Sequence, residues 1–276
     1  MLEFHTIDFN LQHTLECGQA FRWRRNGNGY VGVVGKSVWK VSQHSDVFTV
    51  ESDPPVSKDE VIRYFSLSVD LQKMVLPFRD DPILDVAFRE FWGLRLLRQD
   101  PWECLGSYIF SSLNNVKRIS GLVENVSIRF GAPIGSNGSS HYAFPSAQAI
   151  ASLTRKDLQP IRPGFRDRYL LESARSVSEG GCDLQKLNDL ETGEAREALL
   201  KLPGVGQKVA DCILLFAYGR TEVFPIDVWI ERALRKLYFH GRHRTSRQMR
   251  RFTSRKFGSA AGYAQEYLYA YARNYL

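Results

Sequence analysis

The amino-acid sequence predicts an α+β fold: an N-terminal antiparallel β-sheet domain packed on a mostly helical domain. Three observations lead there. Residues 1 to about 56 carry short β-branched and aromatic runs parted by turn residues. From Ser57 onward the apolar residues recur at spacings of three and four, the period of a helix. Near residue 200 one such helix breaks at Pro203-Gly204-Val205-Gly206 and a second begins, which is a helical hairpin.

The strands are read at Tyr30–Val34, Ser37–Val41 and Val47–Val50. Asn26-Gly27-Asn28-Gly29, Gly35-Lys36 and Gln43-His44-Ser45-Asp46 part them, so the sheet is a meander. Ser57-Lys58-Asp59-Glu60 has the spacing of a capping box. Asp100-Pro101-Trp102-Glu103 repeats that spacing with proline at the first helical position. After Asn115, the residues Ile119, Leu122, Val123, Val126 and Phe130 share one helical face that ends at Gly131. Gly135 to Ser140 is the one flexible loop of note. Further helices follow Ser146, Thr154 and Gly164, and Tyr263 to Tyr275 reads as a last helix. No repeat or low-complexity tail interrupts this order. The expected division is 1–99 for the sheet domain with its connecting helices and 100–276 for the helical domain.

With 276 residues the chain can bury a substantial core, and 43% hydrophobic with 24% charged residues is the balance of a globular protein. A net charge of +7 and a pI near 9.2 favour a polyanionic partner, though a basic balance alone is weak support. The charge crowds toward the C-terminus, where Arg232, Arg235, Lys236, Arg242, Arg244, Arg247, Arg250, Arg251, Arg255 and Lys256 lie. That region is either a solvated face or a phosphate-tracking one. The cysteines Cys17, Cys104, Cys182 and Cys212 show no Cys-x-x-Cys spacing, which excludes a zinc ribbon and a four-cysteine iron–sulfur loop. Their dispersal suits a reducing interior. No secretory signal is visible at Met1 to His5, and no apolar stretch reaches membrane-spanning length. An intracellular protein that touches no membrane is expected.

The hairpin holds the chemistry. Grouped amides at Gly204, Val205 and Gly206 form an anion site at a helix N-terminus, and DNA phosphate is the obvious anion. Lys208 falls in the first turn of the second helix, at the positive end of its dipole, which pushes an amine toward its neutral form. A neutral amine is a nucleophile able to form a Schiff base. Asp227 follows Pro225 and precedes Val228, Ile230, Ala233, Leu234 and Leu237, so it is an N-cap whose carboxylate is held ionised and aimed. Such a charge stabilises the cation that develops at C1′ as a glycosidic bond breaks. The bland alternatives are an ordinary αα-hairpin, a solvated lysine and a purely structural cap.

The hairpin, Lys208 and Asp227 resemble the helix-hairpin-helix superfamily of DNA base-excision glycosylases. Four further stretches are similar to one branch, the 8-oxoguanine DNA glycosylases of eukaryotic type. They are Glu16-Cys17-Gly18-Gln19-Ala20-Phe21-Arg22-Trp23, the run from Gly93 through Ser112, Tyr142-Ala143-Phe144-Pro145-Ser146, and Ala261-Gly262-Tyr263-Ala264-Gln265. The similarity spans nearly the whole chain in the same order.

The resemblance implies a monomeric bifunctional glycosylase and AP lyase that excises 8-oxoguanine from double-stranded DNA, preferably opposite cytosine. The reaction it implies needs no redox or metal cofactor, and no metal ligand set is expected. Such an enzyme takes the base out of the duplex into a pocket. By resemblance, the Gly18 carbonyl reads the proton that oxidised guanine carries on N7. Cys212 and Tyr269 stack on the two faces of the base, with tyrosine where the family usually has phenylalanine, and Gln265 bonds the base edge. Arg118 and Arg166 match the arginines that contact the opposite cytosine, and Phe165 matches an aromatic wedge beside it. Two positions depart from the pattern. Leu113 replaces an asparagine that fills the vacated space, and Trp229 replaces a histidine that touches backbone phosphate. Two other readings remain: a glycosylase for other damaged purines, whose members lack the lysine, and a non-catalytic DNA-binding hairpin module. Without the resemblance, Cys212 and Tyr269 are core residues and the arginines are surface or phosphate contacts.

Overall fold

A computed structural model describes residues 1–135 and 141–276; most of the expected flexible loop, residues 136–140, lies outside the described residues. The sheet has five antiparallel strands: β1 (Leu2–His5), β2 (Arg24–Asn26), β3 (Gly29–Val34), β4 (Ser37–His44) and β5 (Val47–Asp53). Their order is β1-β5-β4-β3-β2. The meander β2-β3-β4-β5 follows the expected turns, but β4 and β5 extend further, so only Ser45 and Asp46 part them. In β4, Ser37, Trp39 and Val41 are buried while Lys40 and Ser42 are exposed, the period of a sheet with one covered face. Helix α1 (Leu11–Glu16) is capped by Asn10, which accepts from His13 N at 2.9 Å. Helix α2 (Lys58–Tyr64) begins with the expected reciprocal box between Ser57 and Glu60. Phe9, Leu11, Leu15, Trp39, Phe48 and Phe65 form a core between the sheet and these helices.

Helices α3 (Leu71–Val75) and α4 (Pro82–Glu90) precede residue 99, yet Leu71, Leu84 and Phe88 bury with the helical body. The connecting helices of the N-terminal half thus share the core of the helical half. Helix α5 (Pro101–Ile109) has proline at its first position and Asp100 accepting from Glu103 N at 2.9 Å. The second half of the expected box is missing, because Glu103 faces Arg22 at 3.8 Å instead. Helix α6 (Val116–Phe130) is capped by Asn115 and stops at Gly131, whose backbone is extended. Glycine is needed there for space, since a Cβ would lie 1.9 Å from the Ala143 carbonyl oxygen.

Helices α7 (Ala147–Ala151), α8 (Arg155–Leu158) and α9 (Arg166–Ser178) follow, as read from Ser146, Thr154 and Gly164. The hairpin is α10 (Thr192–Leu200) and α11 (Gln207–Phe216). Helix α12 (Val228–Ala233) runs on into a π-helical turn, Leu234–Tyr238. Helix α13 (Ser246–Phe257) carries much of the basic run, and α14 (Ala261–Tyr275) closes the body against α4 and α12, with the Phe88 and Tyr267 rings 4.6 Å apart. Among the described residues, no helix is long and apolar enough to cross a membrane.

Candidate active site

The hairpin residues play unlike parts. Gly204 has φ +78°, and a Cβ there would meet the Tyr169 ring at 2.5 Å, so both conformation and packing call for glycine. Val205 is buried and donates to the Leu202 carbonyl at 3.1 Å, which pins the turn. Gly206 is the N-cap of α11 in extended backbone, and a Cβ would find nothing within 4 Å. Its glycine answers no demand of the fold, and the first amides of α11 stand beside it.

Beside the hairpin lies a cavity of about 800 Å³ lined from α11, α12, α14, the segment after α1 and the loop between α5 and α6. Lys208 and Asp227 both line it. Lys208 lies in the first turn of α11, and its Nζ donates to Ser111 Oγ at 3.1 Å. The same nitrogen stands 5.0 Å from the centre of the Tyr108 ring. Asp227 caps α12, with Oδ1 accepting from Ile230 N at 2.8 Å. One expectation changes here. Burial pushes the Asp227 pKa up, against the pull of the Ile230 amide and of Lys208, and the net direction is upward. The side chain caps α12 as expected, but its charge is less secure than the cap alone implied.

Gly18, Cys212, Gln265 and Tyr269 line the same cavity. Cys212 sits one turn after Lys208, and burial pushes its thiol up to about 12, so it is neutral and offers a polarisable face. Gly18 has φ +101°, and a Cβ would meet Arg273 Nη1 at 2.8 Å and Tyr269 Cε1 at 3.7 Å. Arg273 Nη1 also donates to the Cys17 carbonyl at 2.7 Å, which fixes the segment carrying Gly18 against α14. Gln265 and Tyr269 share a face of α14, one turn apart.

Of the remaining expected residues, Arg166 and Phe165 lie by the exposed loop at Leu113. Leu113 has φ +51° and is 92% exposed, and it lines the cavity mouth. Phe165 is half-exposed, and Arg118 is exposed in the first turn of α6. Arg166 differs from Arg118 in that its guanidinium is buried and bonded to backbone. Nε donates to Ser112 O at 2.8 Å, Nη1 to Pro163 O at 3.2 Å, and Nη2 to Leu113 O at 3.1 Å and also to Ser112 O. Of five N–H groups, one is left for a base. The guanidinium also lies 4.4 Å from the Phe165 ring centre, so it braces both apolar tips. Trp229 lines the cavity with Arg232 5.0 Å from its ring.

The sequence reading passed over Ser111 and Tyr108, which hold Lys208, and Arg273, which holds Gly18. The first two lie in the run from Gly93 to Ser112, whose similarity was a signal without a role attached. Glu266, also in the cavity wall, was masked by its neighbour Gln265.

A family model described as the N-terminal domain of 8-oxoguanine DNA glycosylase matches residues 1–105. A probable N-glycosylase/DNA lyase of Methanothermobacter thermautotrophicus is 33% identical over 80% of this chain and 76% of its own. The N-glycosylase/DNA lyase OGG1 of Arabidopsis thaliana is 31% identical over 82% of this chain and 65% of its own. In three dimensions, the 8-oxoguanine glycosylase/lyase of Clostridium acetobutylicum, bound to duplex DNA with cytosine opposite 8-oxoguanine, superposes with a TM-score of 0.91. It is 32% identical, and the match covers 99% of this chain and 98% of that one.

Proposed function

The chain belongs to the 8-oxoguanine DNA glycosylases, and from that premise we propose that it excises 8-oxoguanine opposite cytosine through a Schiff base on Lys208. The observation that carries this reading is one cavity walled by Lys208, Asp227, Gly18, Cys212, Gln265 and Tyr269. A nucleophile, a carboxyl group and surfaces for a flat ring then face one space.

The extruded base enters between Cys212 and Tyr269, with the Gly18 carbonyl toward N7–H and Gln265 toward the opposite edge. The amine form of Lys208 attacks C1′ as the bond to the base breaks, and the base leaves with the bonding electrons. Asp227 opposes the positive charge that gathers at C1′. Loss of a proton from nitrogen and opening of the sugar ring give the Schiff base, and proton loss from C2′ expels the 3′ phosphate. Ser111 and the Tyr108 ring hold the lysine head before attack. Gly206 and the first amides of α11 cradle a backbone phosphate. Arg118, with the one free N–H of Arg166, faces the widowed cytosine.

Borohydride reduction during turnover on 8-oxoguanine DNA tests the reading. The expected result is a covalent protein–DNA adduct with the native chain and none with Lys208→Gln, while that variant still binds lesion DNA. An adduct that survives Lys208→Gln would place the nucleophile elsewhere.

A further inference from the structure

Gln265 and Glu266 are consecutive on α14, and both line the cavity beside Tyr269. Gln265 is 5% exposed and Glu266 is 2% exposed. In each, Oε1 is buried without a hydrogen-bond partner among the described residues. A buried acceptor left unpaired costs stability, and a native one that persists asks for a ligand. The Glu266 carboxyl adjoins the Cys17 thiol, and burial pushes its pKa up to about 7. Whether charged or neutral, it keeps an acceptor oxygen. The chemistry at Lys208 makes no use of it.

Two unpaired acceptors from consecutive residues of one helix suit an edge with two adjacent donors. A guanine-type ring presents N1–H and the N2 amino group side by side. An adenine-type ring presents the acceptor N1 beside its amino group, and cytosine the acceptor N3 beside its own. Thymine has one N–H between two carbonyls. Only the guanine edge offers two adjacent donors.

We propose that Glu266 is a specificity-determining residue, which together with Gln265 accepts from the N1–H and N2 amino group of an extruded guanine-type base. This deepens the reading above and rests on it, because the cavity must be where the base enters. The oxidised edge is met by Gly18 and the amino edge by α14, so the two features of the lesion are read separately.

The test compares single-turnover excision of 8-oxoguanine and of 8-oxohypoxanthine, the same lesion without the amino group, both opposite cytosine. The native protein is expected to favour 8-oxoguanine by about tenfold or more, the worth of a hydrogen bond to a carboxyl. Glu266→Leu should bring that ratio close to one, whereas Glu266→Gln, which keeps an acceptor oxygen, should retain most of it. The free Glu266→Leu protein should melt no lower than the native one, because a buried carboxyl with one unpaired oxygen has been removed. A native ratio near one overturns the proposal whatever the variants do. So does a Leu variant that slows both substrates equally and melts lower, which is a packing role. If the native protein releases no 8-oxoguanine at all, the parent reading fails before this one is reached.

Discussion

Arg166 donates from Nη2 to the carbonyl oxygen of Leu113 at 3.1 Å, and so braces the most exposed large apolar side chain among the described residues. Leu113 holds φ +51°, a conformation that a leucine adopts only under constraint. Lysine at 166 has one compact donor group and cannot span the carbonyls of Ser112, Leu113 and Pro163 together. Arg166→Lys is expected to cost about 1–3 kcal/mol of stability. It should also weaken the preference for cytosine over adenine opposite the lesion, as the loop loses its aim. Thermal melting and the ratio of single-turnover rates measure the two effects; an unchanged ratio would make Arg166 a purely structural strut.

Asp227→Asn separates stability from catalysis. Burial raises the Asp227 pKa, so the native state holds the proton more tightly than the unfolded chain. The stability linked to that proton is present at low pH and fades as pH rises through the folded value. At neutral pH the ionised side chain therefore costs stability, and the asparagine protein should be at least as stable as the native one, since asparagine caps equally well. Catalysis runs the other way, because charge at C1′ needs the carboxylate. The native rate should fall on the acid side at a pH above the ordinary aspartate range, and the variant should lose that limb with a roughly hundred- to thousandfold slower reaction. An asparagine variant that retains the acid limb would assign it to another group.

The hairpin glycines should respond differently to alanine. Gly204→Ala places a Cβ 2.5 Å from the Tyr169 ring at a positive φ, and is expected to lower the melting temperature. Gly206→Ala meets no atom within 4 Å, so the free protein should melt normally. Binding to undamaged duplex DNA should nonetheless weaken several-fold, since a methyl group would stand where a phosphate approaches. Normal DNA affinity in Gly206→Ala would remove the phosphate from this turn.

The opposite base tests the departure at position 113. Leucine fills space but offers no hydrogen bond to cytosine, which leaves discrimination mainly to Arg118. A good base contact is worth about 1–3 kcal/mol. The native preference for cytosine over adenine should therefore be modest, smaller still in Arg118→Ala and larger in Leu113→Asn. Excision rates on the two duplexes give the comparison, and an unaltered ratio in Arg118→Ala would return that arginine to the phosphate contacts.

Local rules made the turns of the meander, the caps at Ser57 and Asp227, and the break of the hairpin legible, because each depends on residues close to one another in the chain. The edge strands were not, since Leu2–His5 gains its strand character only by pairing with β5, and Arg24–Asn26 is polar and exposed. The second half of the box at Asp100 failed for the same reason, as a distant arginine took Glu103. Lys208 and Asp227 were legible by pattern, whereas Gly18, Cys212, Gln265 and Tyr269 were singled out by likeness alone. Nothing local distinguishes Tyr269 from a packing aromatic or Arg166 from a surface charge. Of the three carbonyls to which Arg166 turns inward, two belong to a loop more than fifty positions away in the chain.

Arg273 bonds the carbonyl of Cys17 across 256 positions of sequence. The wall of the cavity is therefore sewn shut by its two ends, with the nucleophile supplied from between them. Gln265 and Tyr269, which the cavity borrows from α14, reach it only once that last helix is docked, long after Lys208 has been laid down in the chain. Without α14 the chain would keep the blade but have no way to hold the work.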